Sequence, residues 1–442
     1  MIISIIFVLF ITLGIGLPLI LAICPKINKI GGFGLSFPIG IGIFTLLMFL
    51  TNIFEIKFSF LNESLILLAT MIPLVFFLRK KLMKYCKELV FDFKKIKLSL
   101  VEKVMLGVLV FLVVTSFINT FYWPVSMWDS VVLYDFRGHV FAQTGFMKDA
   151  FLNDYYYSYP LLTSLAHTIT YLGGGKYPQF IYSFFYLSLG LSFFGFLREF
   201  VSRKSGIFFT MLLMLTGPLF YHSLFSYTNL TYTVYVGLGA ILIYLWARKK
   251  EFGYLVLSAI MMGLSIHVRS TEPFWLAMLL VTIILSIYRK NIWGVIVYPL
   301  IIIPMRQVWV SYLNFISAGT ASGITDKMEP KGMLTTLVDW NNWQQIGNYF
   351  YVHVIIPWGP IILAFVLALI VVILRRQKNN YLIFVMTILF MAVLVAGTFI
   401  FSVYLDYWGR IGDATERLSM LFYPLFIYCI ALVTKDIVKK KK

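Results

Sequence analysis

The sequence predicts an all-α, polytopic transmembrane helix bundle with no large soluble domain. Three observations predict it. Apolar runs near the roughly 20 residues that cross a bilayer core recur along the whole 442-residue chain. Hydrophobic residues make up 60% of it and charged residues only 13%, against about half and about a quarter in soluble domains. The excess of apolar surface is more than a soluble core can hide. The basic residues behind the net charge of +18 fall in short clusters between the apolar runs, which is the pattern of cytoplasmic loops. That distribution argues for membrane lipids as partners and against nucleic acid, which asks for one basic face.

The chain divides into N-terminal transmembrane helices (1–122), a first external loop (123–160) and a transmembrane bundle (161–442). The first run, 2–23, has no basic n-region and is longer than a signal-peptide core, so it reads as a retained helix. Spans at 33–54 and 64–77 follow. The strongest basic block, Arg79, Lys80, Lys81, Lys84, Lys87, Lys94, Lys95 and Lys97, is placed in the cytoplasm. The span at 104–121 then leads out, which puts both 123–160 and the N-terminus outside. Segment 161–171 covers less than about 20 Å at 1.5 Å per residue, so it dips into the membrane from the outer side. With that dip every later basic cluster falls inside. The spans are 180–197, 207–225, 230–246, 254–266, 274–287, 292–310, 351–374, 381–404 and 418–433. External loops lie at 311–349 and 405–416, and the C-terminus is cytoplasmic. The count is about thirteen spans plus one dipping segment, in a plasma or inner membrane. Cys24, Cys86 and Cys429 are far apart and form neither a metal motif nor a disulfide framework. The Asn-x-Ser/Thr triplets at Asn62 and Asn229 read as chance.

The polar interval is WDSVVLYDFRGHVFAQTGFMKDAFLNDYYYSYP, 128–160, with Asp129, Asp135, Arg137, His139, Lys148, Asp149 and Asp154. A carboxylate within hydrogen-bond reach of a hydroxyl can act as a general base. Asp129, just beyond a span, is the first candidate and Asp154 the second. Asp154 also reads as a turn residue. The spacing of Asp135, Arg137 and His139 predicts that they lie along one side of a short helix, with Asp129 a turn or two away. Elsewhere His267, Arg269 and Glu272 stand between two short spans, and Arg306 lies within an apolar one. Ionisable groups at membrane depth are read as functional, although Arg269 with Glu272 also reads as an ion pair closing a turn. Arg410 and Arg417 flank Asp413 and Glu416 in YWGRIGDATERL, which also reads as a solvated charged loop. The tyrosines at 155–157 and Tyr159 form an interfacial belt in which one or two can stack on a sugar. No compact His/Asp cluster asks for a metal.

Trp128-Asp129, Tyr134, Arg137, Gly145, Asp154 and Tyr159-Pro160-Leu161-Leu162 together resemble the first external loop of integral-membrane glycosyltransferases of the C-type (GT-C) fold. That superfamily includes protein O-mannosyltransferases and the lipid A aminoarabinose transferase. Residues 263–273 resemble the family's hairpin with a basic residue and an acid, and TERLSMLFYP, 415–424, its late Arg-bearing motif. The chain departs from the pattern in having Ser130 where the family often has Glu, and in having three spans ahead of the loop's own. The resemblance implies a GT-C-like bundle that moves a sugar, with inversion, from a polyprenyl-phosphate donor to a glycan, lipid or protein acceptor on the outer face. It implies Asp129 as base and Arg137, Tyr159, His267, Arg269, Glu272, Arg306, Arg410 and Arg417 among the donor-phosphate and substrate contacts. No metal or cofactor beyond the lipid-linked donor is implied. Two other readings stand beside it. A polysaccharide polymerase or ligase would carry its main Arg-rich loop late in the chain, where this one is short. A lipid-linked sugar flippase or transporter would place ionisable groups near the midplane, often in repeated halves, and no repeat is found.

Overall fold

A computed structural model describes all residues except 96, 152–158, 271, 317–335, 405–414 and 440–442, and describes the backbone alone at 92–95, 272, 401, 404 and 435–439. Among the described residues the chain is helical without a strand. Among the described residues ten helices are long and apolar enough to cross a membrane, and two shorter apolar helices accompany them.

Helix α1 (Ile2–Ile23) carries a π turn at Thr12–Gly16. It is followed by α2 (Lys29–Ile53), whose N-cap Asn28 accepts from the Gly31 amide. Next comes α3, Phe60–Lys95, a single 36-residue helix. The sequence predicts a span at 64–77 and then a basic loop. Instead the helix runs on through the basic block, because Lys, Glu, Leu and Met are all good helix formers and nothing there breaks the backbone pattern. A Ser99/Glu102 capping box starts α4, Leu100–Tyr122.

Contacts between loops show that the basic clusters share one end of the bundle. Lys26 pairs with Glu251 at 3.0 Å, Lys29 with Glu88 at 3.2 Å and Arg203 with Glu102 at 2.7 Å. Asn28 donates to Glu199 at 3.1 Å, and Arg248 to the Asn379 carbonyl at 3.3 Å. At the opposite end the Asn52 amide donates to the Gly145 carbonyl at 2.9 Å and its oxygen accepts from the Met147 amide at 3.0 Å. Gln179 donates to the Trp123 carbonyl at 3.0 Å. Trp123 ends α4 and Gln179 starts α7, Phe180–Leu197, so the chain between them returns to the end it left. Within that stretch lies α6, Leu162–Leu172, which is nearly all buried. It begins beside Leu161, close to Phe49 and Trp309, and ends where Ser4 donates to the Thr170 carbonyl at 2.9 Å. This is the segment whose shortness predicts a dip.

The predicted span 207–225 is broken. Helix α8, Arg203–Met214, ends before Thr216-Gly217-Pro218, and a short α9, Gly217–Tyr221, follows. Proline is at home in the first turn of a helix and not in its interior. Helix α10, Thr228–Lys249, is the centre of the molecule and is buried along its apolar length, whereas α3 and α4 are mostly exposed. Around it stand α7, α11 (Phe252–Val268), α12 (Glu272–Arg289) and α16 (Tyr381–Tyr404), and α13 (Trp293–Phe315) packs against α11 and α12. The region 311–349, expected to be a loop, is helical at both margins. Helix α13 reaches Phe315, and α14, Trp340–Phe350, passes through a π turn into α15, Ile356–Leu374. Of the predicted loop 405–416, residues 405–414 lie outside the described residues. Thr415 is buried, with its hydroxyl 2.9 Å from that of Thr398, ahead of α17, Phe422–Lys439.

Candidate functional site

The polar interval is folded onto the bundle rather than left as a loop. A π turn at Ser130–Asp135 leads into α5, Phe136–Thr144. The helix is closed by Gly145 at φ 88°, a left-handed conformation that glycine adopts at little cost. The π turn changes the phase of the side chains. Asp135 and His139 share a side, as their spacing suggests, with Oδ2 and Nε2 3.7 Å apart, whereas Arg137 faces α6 and Asp129 the late motif.

Asp129 faces the late motif. Its Oδ2 accepts from Nη1 of Arg417 at 2.9 Å, across 288 residues of sequence. Both side chains keep some exposure, 26% for Asp129 and 21% for Arg417. The Arg417 guanidinium lies 5.2 Å over the ring of Tyr227. Thr228 and Asn229, the next two residues, begin α10 and extend the same surface. The Thr228 hydroxyl is 3.3 Å from that of Tyr134, and Asn229 Oδ1 accepts from Arg269 Nη1 at 2.8 Å. Arg269 in turn lies 5.9 Å over Tyr159, which meets Tyr134 edge-on at 5.9 Å. Three consecutive residues at the head of the most buried helix thus each hold one member of the group. Burial, then the Tyr159 ring, pushes the Tyr134 phenol up; Arg269 opposes this and Asp129 adds to it. The carboxylate and the Arg269 cation are therefore both within electrostatic reach of one phenol. His222 is buried nearby, its ring 5.8 Å from that of Tyr227. Glu416 turns the other way, 3.4 Å from His353 Nδ1.

Asp135 anchors a separate network. Its Oδ1 accepts from the Tyr171 hydroxyl and lies 3.3 Å from His167 Nδ1, and its Oδ2 lies 3.7 Å from His139 Nε2. His167 is fully buried and its Nε2 sits 3.1 Å from the Tyr182 hydroxyl. Burial alone would raise the Asp135 carboxyl, but His167 and Tyr171 outweigh it and hold it below the usual carboxylate range. Helix α5 comes this close to α6 because residue 138 is glycine: a Cβ there would stand 2.7 Å from that of His167.

Arg137, expected on the donor phosphate, is fully buried. It donates to Ser164 Oγ at 3.0 Å and to the carbonyls of Tyr159 at 2.7 Å and Pro160 at 3.4 Å. Its bonds fasten the turn that presents Tyr159. His267 is buried in the last turn of α11, facing Leu161 and Trp309. Arg306 is half-buried on α13. Asp154 and Arg410 lie outside the described residues, and Glu272 opens α12 with its side chain outside them too. Of the predicted site residues the structure brings together Asp129, Tyr159, Arg269 and Arg417.

Sequence reasoning missed Tyr227, Thr228 and Asn229 as a supporting row. Asn229 drew notice only as a glycosylation triplet, and its side chain is buried against Arg269. It also missed His167, whose one signal was a lone imidazole in an apolar run. Among the described residues no group of three or more His, Cys, Asp or Glu side chains is arranged to hold a metal ion. No protein-family model, curated protein or solved structure matches the chain.

Proposed function

We propose that the chain is an integral-membrane glycosyltransferase of GT-C type, with thirteen traverses and one dipping segment, using a polyprenyl-phosphate-linked sugar. The observation that carries this reading is the Asp129–Arg417 pair at 2.9 Å beside Arg269 and Tyr159. It joins the early carboxylate and the late arginine, two positions that the family resemblance singles out independently. It lies at the end of the bundle opposite the basic clusters, which the positive-inside pattern assigns to the outer face.

Asp129 takes the proton of the acceptor hydroxyl as its oxygen attacks the anomeric carbon. The bond from that carbon to the donor phosphate breaks, and the phosphate leaves with the electron pair. Attack from the face opposite the leaving group gives inversion. That geometry also sorts the two arginines. Base and leaving phosphate stand on opposite sides of the sugar, so a guanidinium bonded to Asp129 orients the base. Arg269, held by Asn229, is the one suited to the phosphate oxygens, where a fixed cation stabilises the developing charge. Tyr159 offers a ring for the sugar.

The test is transfer from a polyprenyl-phosphate sugar by purified protein in liposomes. Asp129→Asn keeps the side-chain size and removes the basic oxygen. The expected loss is about 10²- to 10⁴-fold in rate, with donor binding retained. Near wild-type transfer by this variant, with Asp154→Asn inactive, would move the base to Asp154. Near wild-type transfer by both would remove the main support for a transferase.

A further inference from the structure

The basic end carries a cavity that the transferase reading does not use. It has a volume of about 740 Å³ and lies where α4 begins, α7 ends and α8 begins. Its apolar side is formed by Val101, Met105, Phe208 and Phe209. Val101 and Phe208 are 50% and 41% exposed, so this side opens outward from the bundle where a bilayer would lie. Its polar side holds Arg198, Lys204, Ser202 and Ser205. Ser202 caps α8, a 12-residue helix whose positive dipole end therefore points into the same space. A neighbouring cavity of about 500 Å³ shares Arg198 and adds Lys26, Lys29 and Arg203.

The local charges are unequal. Glu102 takes Arg203, and Glu199, which lines both cavities, is taken by Lys249 and Asn28. Arg198 donates to the Val201 carbonyl, and burial together with the nearby Arg203 pushes its guanidinium below the usual arginine value. Lys204 is exposed at the rim. The cavity therefore joins an apolar groove open to hydrocarbon with an excess of cations at its headgroup-level end.

We infer that this cavity binds an anionic glycerophospholipid of the surrounding leaflet. Its phosphate sits between Arg198, Lys204 and the start of α8, and an acyl chain lies along Val101, Met105 and Phe208. Charge complementarity selects the anionic headgroup, and the exposed apolar wall selects a lipid over a free anion. This inference does not depend on the transferase reading, and its test has no activity readout.

Native mass spectrometry of the full-length protein in neutral detergent, titrated with phosphatidylglycerol or phosphatidylcholine, measures it. The wild type is expected to retain phosphatidylglycerol about twenty-fivefold better, about fivefold for each of the two cations. Arg198→Ala with Lys204→Ala is expected to lower that preference by about fivefold per charge, the usual value of a basic group at an anionic surface. Phe208→Asp is expected to weaken both lipids. Lys81→Ala with Lys87→Ala removes two exposed charges from α3, outside the cavity, and should leave the preference intact. Should Arg198→Ala disturb folding through its bond to Val201, the exposed Lys204→Ala alone carries the test with a fivefold loss. Equal retention of the two lipids by the wild type overturns the inference. So does an equal loss in the Lys81/Lys87 variant, or displacement of the lipid by millimolar inorganic phosphate.

Discussion

Arg417 and Arg269 carry the same charge but differ in what holds them, and this separates their expected effects. Arg417 bonds the carboxylate, while among the described residues Arg269 bonds the neutral amide of Asn229. Arg417→Ala is expected to lower kcat by about tenfold to hundredfold through a misplaced base, with KM for the donor little changed. Arg269→Ala is expected to raise the donor KM and also to slow transfer. Arg417→Lys recovers charge but not the geometry of the fork, so recovery should be incomplete. Steady-state kinetics with varied donor read the split, and the reverse assignment of KM and kcat effects would exchange the two roles. Asp135 makes a different prediction, about stability. Its folded-state pKa is depressed, so its contribution is complete above the ordinary carboxylate value near 3.9 and fades as pH falls through the lower folded value. Thermal unfolding in detergent should show wild type losing its advantage over Asp135→Asn only below about pH 3.9. An advantage that disappears between pH 5 and 7 would mean that the histidines and not Asp135 set the linkage.

At the scale of elements, periodicity and hydropathy located most helices but misplaced their ends. Helix α3 shows why: an apolar run stops where hydropathy stops, but the backbone continues as long as its residues favour helix. The π turn at Ser130–Asp135 was illegible, because no residue type marks it. The pairing of Asp129 with Arg417 was also beyond local reasoning; only the family resemblance named both positions. Arg137 gained its buried place from tertiary structure that its polar neighbours gave no hint of. It ties α5 to the turn before α6, and a buried cation bonded to Ser164 and to the Tyr159 and Pro160 carbonyls cannot be truncated cheaply. Arg137→Ala is expected to destabilise by about 3–5 kcal/mol, with the loss of the Tyr159 turn felt at the site. Unfolding followed by tryptophan fluorescence measures it. A change under about 1 kcal/mol would show that these bonds only replace equivalent ones to water.

The whole molecule is polarised along the bundle, with basic clusters tied to one another at one end and the Asp129 group at the other. Orientation can be tested with a cysteine the protein already has. Cys86 is exposed on α3 among the basic residues, whereas Cys24 and Cys429 are buried. The opposite end needs an introduced reporter. Ser130, beside the carboxylate, is fully buried and would stay silent on either side, but Trp128 is 74% exposed. The positive-inside rule predicts a cytoplasmic Cys86 end. A membrane-impermeant maleimide applied to intact cells should therefore leave the wild type unlabelled and label Trp128→Cys, and Cys86 should react once the cells are opened. Labelling of wild-type Cys86 in intact cells would invert the molecule and place the Asp129 group on the cytoplasmic side. A polyprenyl-phosphate donor would then have to be used before translocation, and the proposed direction of transfer would fail even if Asp129 remained essential.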